Sequence, residues 1–176
     1  MNDLKADTKL AIELEKNGYD FYKEVAAKTT NPLAKATLDS LGERELEHLA
    51  KVTEFYQNLS GDKKLPDNWL KTVEVPPTKG QLLKLILNKL KISLDKKFES
   101  IEDINKAYGI AEDLERDSYH LYSRIAKESA DNTTKKFYSA LAEEENEHYA
   151  ILDETLQYLL TPGDWFKKEE RWIVEG

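Results

Sequence analysis

The chain contains no cysteine. Disulfides, thiolate nucleophiles, zinc–thiolate sites and iron–sulfur clusters are therefore excluded within these 176 residues. Glycine and proline are scarce, at 7 and 5, which argues against a turn-rich all-β fold. No apolar run is long enough to span a membrane uninterrupted. The opening residues, Met1-Asn2-Asp3-Leu4-Lys5, lack the apolar segment of a signal peptide. Positive charge is in deficit: Lys+Arg 26 against Asp+Glu 34 gives 26 − 34 = −8. That sign disfavours nucleic acid and anionic membrane as partners. The resulting expectation is a cytoplasmic protein that engages neither.

Charge and apolar residues are abundant, at 34% and 40%, and they alternate with helical periodicity. One helix is predicted from about Asp3 to Lys28, with Leu4, Ala11, Leu14, Gly18, Phe21, Tyr22 and Val25 on one stripe. Asn31-Pro32 opens a second, since Asn caps well and Pro suits the first helical position. Its inward seam is Leu38, Leu41, Glu45, His48, Val52, Phe55 and Leu59, and Ser60-Gly61-Asp62 ends it. Leu65 to Thr78 contains Pro66, Pro76 and Pro77 and should be mostly irregular. Residues 81–94 read as a short helix rich in Leu, Ile and Lys. Ser100 with Asp103 resembles a capping box for a third long helix, whose inner face is Ile104, Ala107, Ala111, Leu114, Glu115, Ser118, Tyr122 and Ile125. Asp131-Asn132 caps a fourth. Its seam is Tyr138, Leu141, Glu145, His148, Leu152, Thr155 and Leu159, ending at Thr161-Pro162-Gly163. The long connection (61–99) lets the third helix run parallel to the second as its neighbour. The expected fold class is all-α: a four-helix bundle over residues 1–160, with hairpins at 3–60 and 100–160. The tail (161–176), with Trp165, Phe166 and Trp172, either packs on the bundle or forms a contact with a second copy.

The two hairpins repeat each other. Residues 11–60 align with 111–160 without a gap, and sixteen of the fifty positions are identical. They include Glu15, Tyr22, Glu45 and His48, matched by Glu115, Tyr122, Glu145 and His148 one hundred residues later. A carboxylate on a core-facing stripe needs a partner, because burying it alone is costly. Residues three apart share a helix face, so Glu45 with His48 and Glu145 with His148 can reach one central region across a pseudo-two-fold axis. Glu15 and Glu115 supply one carboxylate from each remaining helix. Four ionised Glu carry −4, which two divalent cations would neutralise with both imidazoles uncharged. Carboxylate and imidazole donors suit iron or manganese better than soft metals.

These strings, Glu15-x6-Tyr22 with Glu45-x-x-His48 and Glu115-x6-Tyr122 with Glu145-x-x-His148, resemble the rubrerythrin-like branch of the ferritin-like di-iron carboxylate proteins. The resemblance implies a ferritin-like bundle with a long crossover between its second and third helices. It further implies two iron ions (Mn or Zn as substitutes) and reduction of hydrogen peroxide or O2. Rubrerythrins carry a rubredoxin-type domain whose iron is held by Cys. Here no Cys exists, so electrons are expected from an external donor such as a rubredoxin-like protein. Rubrerythrins also carry an extra Glu one turn beyond the third-helix ligand; here that position is Ser118, which implies a symmetric site of six ligands. Two other functions remain open: a ferroxidase or iron-handling protein, and a bundle that binds metal without turnover.

Tyr22 and Tyr122 read either as packed core rings with satisfied hydroxyls or as candidate catalytic residues that hydrogen-bond the site carboxylates or carry an electron. His120, whose repeat counterpart is Asp20, reads as a surface residue. Glu43, Glu47, Glu143 and Glu147 read as helix-face charges. As metal ligands, His48 and His148 would each need an acceptor for the outer ring nitrogen.

Overall fold

The computed structural model describes residues 3–66, 68–73 and 101–161. Four long helices account for most of them: α1 (Leu4–Lys28), α2 (Pro32–Ser60), α3 (Ile101–Glu128) and α4 (Asn132–Leu160). No strand occurs among the described residues, and none of their helices is long and apolar enough to cross a membrane. The expected crossover helix at 81–94, Ser100 and the Trp165–Trp172 tail lie outside the described residues.

The helix ends follow local chemistry. Asp3 caps α1 by accepting from the Lys5 amide at 3.0 Å. Asn31 Oδ1 accepts from the Leu33 and Ala34 amides, each at 3.0 Å, and Pro32 follows it. Asp131 takes the Thr134 amide at 2.7 Å and its hydroxyl at 2.8 Å. At each of these N-termini a side-chain oxygen satisfies amides that have no intrahelical acceptor. Gly61 closes α2 in the left-handed region at φ 82°, a conformation that Gly adopts without steric cost.

The packing runs α1–α2, α3–α4, α1–α3 and α2–α4. Arg124 bonds to Asp7 at 2.9 and 3.1 Å, so the C-terminal part of α3 lies beside the start of α1. α1 and α3 are therefore antiparallel, and α2 and α4 likewise, since His48 meets Glu144 and His148 meets Glu45. α3 thus runs parallel to α2, as the crossover length implies. It lies diagonally opposite, however, and not as a neighbour: its partners are α1 and α4. A long connection fixes direction but leaves adjacency to be decided by which apolar stripes fit.

Two apolar clusters occupy the ends of the bundle. One contains Ala11, Val52, Phe55, Leu121, Tyr122, Phe137 and Tyr138. The other contains Tyr22, Leu38, Leu41, Ile104, Tyr108, Ala111 and Leu152. Along every helix the candidate ligands fall between members of the two clusters: Glu15 between Ala11 and Tyr22, Glu45 between Leu41 and Val52. A polar layer is thereby sealed between two dry ones.

The first cluster recruits a residue that the sequence reading assigned to irregular chain. Trp69 sits in a 3-10 turn, Trp69–Thr72, and is buried against Phe55 (ring centroids 5.9 Å) and Phe137 (4.9 Å). Its indole N–H donates to Glu54 at 2.8 Å. This turn clips the start of the crossover onto the bundle. Trp69→Phe should lower stability by about 1–2 kcal/mol, from lost volume and the lost hydrogen bond, read as a lower urea midpoint with an unchanged slope.

Candidate metal centre

The polar layer gathers all six residues singled out by the repeat. Glu15, Glu115, Glu145 and His148, together with Glu45 and His48, are each no more than 3% exposed. They form two overlapping groups whose donor atoms lie within 4.8 Å of one another: Glu15, Glu45, His48 and Glu145 in one, Glu45, Glu115, Glu145 and His148 in the other. Glu45 and Glu145 belong to both. Glu15 with His48 closes one side, and Glu115 with His148 the other. The two imidazoles stack with centroids 5.4 Å apart and planes 14° from parallel.

Both histidines turn Nδ1 inward. His48 Nδ1 lies 3.2 Å from Glu145, 3.5 Å from Glu15 and 3.9 Å from Glu45. His148 Nδ1 lies 3.2 Å from Glu45, 3.3 Å from Glu115 and 3.2 Å from Glu145. Many of these donor atoms are close without the alignment a hydrogen bond needs. Glu15 Oε2, Glu45 Oε1, His48 Nδ1 and both Glu145 oxygens are buried and have no hydrogen-bond partner. Orphaned polar atoms at this density are rare in a folded core. Cations at the centre of each group would satisfy them, so the donor set fits a metal pair.

Space is kept for the cluster by a missing side chain. A Cβ at Gly18 would stand 2.7 Å from Glu45 Oε2. One turn after Glu15, the Glu45 carboxylate fills the notch that Gly18 leaves, and a Cβ there would make that carboxylate shift. The counterpart at the other half is Ser118, which is also buried.

The tyrosines act as donors across the pseudo-two-fold. Tyr22 donates to Glu115, and Tyr122 donates to Glu15. Each is fully buried, so packing and hydrogen bonding hold together at these positions. Burial, then the negative charge of Glu115 and Glu45, pushes the Tyr22 hydroxyl well above the usual phenol range. Tyr122 is raised in the same way by burial, Glu15 and Glu145. Both hydroxyls keep their protons and remain donors.

The carboxylates themselves are held far from ordinary behaviour. Burial and the neighbouring charges of Glu115 and Glu15 raise Glu45 to about 8. Burial and Glu45 raise Glu145 to about 7. Burial also raises Glu15, against the pull of His48. Burial acts upward on Glu115 too, but His148 and the Tyr22 hydrogen bond outweigh it and lower this carboxyl. Both imidazoles resist burial: Glu145 and Glu15 raise His48, and Glu115 raises His148, well above the usual range. Without cations, protons distributed over the cluster do the neutralising.

Glu144 is the residue that sequence reasoning missed. It is 5% exposed, lies 2.9 Å from His48 Nε2 and is 2.6 Å from Arg44. Burial opposes its ionisation, but the His48 hydrogen bond and charge and the Arg44 charge prevail and hold it at about 2. Glu43, Glu47 and Glu143 are exposed and Glu147 is half-buried, in keeping with their reading as face charges. His120 is exposed.

The family model that matches this chain is rubrerythrin, over residues 8–156. The match spans both hairpins and every residue of the cluster. No curated protein and no solved structure matches the chain.

Proposed function

This chain belongs to the rubrerythrin family, and from that premise we propose that its six clustered residues hold two iron ions for the reduction of hydrogen peroxide, or O2. The clustered Glu and His residues fit a di-iron carboxylate site typical of that family. In the proposed assignment Glu45 and Glu145, which belong to both groups, would serve both positions, Glu15 and His48 would complete one, and Glu115 and His148 would complete the other. The single observation that carries it is the group of buried atoms facing the cluster without hydrogen-bond partners: Glu15 Oε2, Glu45 Oε1, His48 Nδ1 and both Glu145 oxygens.

When bound, two Fe(II) ions supply one electron each, so that H2O2 + 2e⁻ + 2H⁺ gives 2H2O. The chain's own groups do the rest. Tyr22 and Tyr122 donate to Glu115 and Glu15, which fixes the two outer carboxylates. The apolar clusters above and below keep bulk water from the donors. No Cys is present to hold a rubredoxin-type iron, so the two electrons return from a donor site outside these 176 residues, such as a rubredoxin-like protein. Mn or Zn would fit the same donors but Zn would not turn over. We treat residues 1–160 as the functional unit and the cytoplasm as its setting.

Anaerobic loading with Fe(II), followed by stoichiometric peroxide, tests this. Two irons per chain and a ferric charge-transfer spectrum are expected, with no peroxide left. Uptake of many irons per chain into a hollow assembly would reassign the protein to iron storage. Two bound ions with no reaction towards peroxide would leave a metal-binding bundle.

A further inference from the structure

The repeated strings around the cluster are Glu43-Arg44-Glu45-Leu46-Glu47-His48 and Glu143-Glu144-Glu145-Asn146-Glu147-His148. They reverse charge at one position, where Arg44 faces its own counterpart, Glu144. Arg44 holds Glu144 at 2.6 Å and also bonds Glu47. Glu144 in turn accepts from His48 Nε2 at 2.9 Å. With Nε2 carrying the proton, Nδ1 of His48 is left as the electron-pair donor towards the cluster. His148 has no equivalent support. Its Nδ1 faces the carboxylates, and its Nε2 is buried without a hydrogen-bond partner. The residue that the pseudo-two-fold would offer it is Arg44, and a guanidinium has no acceptor to give.

We propose that Glu144, held by Arg44, is a positioning residue that makes the two metal positions inequivalent. The position completed by Glu15 and His48 binds its ion more tightly, and the one completed by Glu115 and His148 exchanges more readily. This rests on the reading of the six residues as ligands to a metal pair. The cause is general: a carboxylate on the outer N–H fixes the tautomer and ring orientation and makes the inner nitrogen more basic. The unsupported imidazole keeps a buried N–H without an acceptor, which costs free energy whenever it binds through Nδ1. Ring nitrogens of His48 and His148 also lie within 4.8 Å of a Glu144 oxygen. That trio is not a third cation site, because the Arg44 guanidinium and His48 Nε2 already occupy the Glu144 carboxylate, and both rings direct Nδ1 to the interior groups.

The test is titration of the metal-free full chain with Co(II), followed by its visible absorption against a competing chelator. Two ions should bind in two steps whose dissociation constants differ by about 10–100-fold, the typical worth of such an outer partner. Glu144→Ala should weaken the tighter step until the two merge, with the weaker step unmoved. Glu144→Gln, which keeps an acceptor oxygen without the charge, should restore part of the gap. A purely structural defect would weaken both steps together and lower the melting temperature of the metal-free chain, and that outcome overturns the inference. So do two equal steps in the native chain, or a gap that survives Glu144→Ala; if that variant fails to fold, a gap unchanged in Glu144→Gln does the same. A chain that binds no pair of ions overturns the metal reading and the inference with it.

Discussion

Glu45→Ala is expected to yield a folded chain that retains neither ion and consumes no peroxide. Glu45 belongs to both donor groups, so under the proposed assignment its loss would remove a ligand from each position. Glu15 belongs to one group alone, and Glu15→Ala should therefore keep one ion per chain. Elemental analysis distinguishes the two variants directly, as two ions falling to none against two falling to one. Peroxide turnover should drop at least about 100-fold in Glu45→Ala, since losing a direct ligand costs more than losing an outer partner. The metal-free fold does not depend on ionised Glu45, because burial and its acidic neighbours make that ionisation unfavourable. At alkaline pH, Glu45→Gln should melt higher than the native metal-free chain, while the metal-loaded native chain melts higher than either. Opposite signs in the two states are the mark of a residue retained for binding. A Glu45→Ala protein with two ions and native turnover would refute the assignment.

The cluster is legible in the sequence because a carboxylate on an apolar stripe is an anomaly, and this anomaly recurs in register one hundred residues later. Helical phase then does the geometry: three-residue spacing places Glu45 beside His48, and the repeat supplies their partners. The caps at Asn31 and Asp131 are legible for the same local reason, because the amides they satisfy are within three residues. Glu144 is not legible this way. It stands in a run of four acids, Glu143-Glu144-Glu145-Asn146-Glu147, where composition says surface. What turns it inward is Arg44 on α2, a contact across the bundle. The opposite charges at paired positions 44 and 144 were the available signal, since a pseudo-two-fold brings such positions together. Trp69 is hidden for a related reason. Its neighbours Pro66, Asp67 and Asn68 read as loop, and its burial depends on Phe55 and Phe137, one on α2 and one on α4. The diagonal placement of α3 also needs the tertiary fit, which periodicity alone does not encode.

The metal-free chain should lose stability as pH rises through neutrality, and the metal-loaded chain should gain it. Glu45 and Glu145 have folded values of about 8 and about 7 against an ordinary 4.5. A carboxyl raised in the folded state favours folding fully below its unfolded value and loses that contribution as pH climbs through the folded one. His48 and His148 are raised above their ordinary 6.5, so their contribution likewise fades as pH rises through their folded values. All four groups act in one direction. Each tenfold gain in proton affinity on folding is worth about 1.4 kcal/mol, before the coupling between neighbouring groups is allowed for. A loss on the order of several kcal/mol follows, or roughly 10 °C in melting temperature for a chain of this size. Glu144 works on the other limb: held at about 2, it stabilises above its ordinary value and ceases to do so as pH falls towards that figure. The metal-free melting temperature should therefore peak in mildly acidic solution and fall on both sides. Metal reverses the alkaline limb, because cations bind the deprotonated carboxylates and neutral imidazoles and release protons on binding. Melting curves of chelated and loaded protein should cross as pH rises. Parallel curves, or a chelated chain that melts higher at about pH 8.5 than at about pH 6, would mean that the acidic layer is neutralised by something other than protons and metal ions.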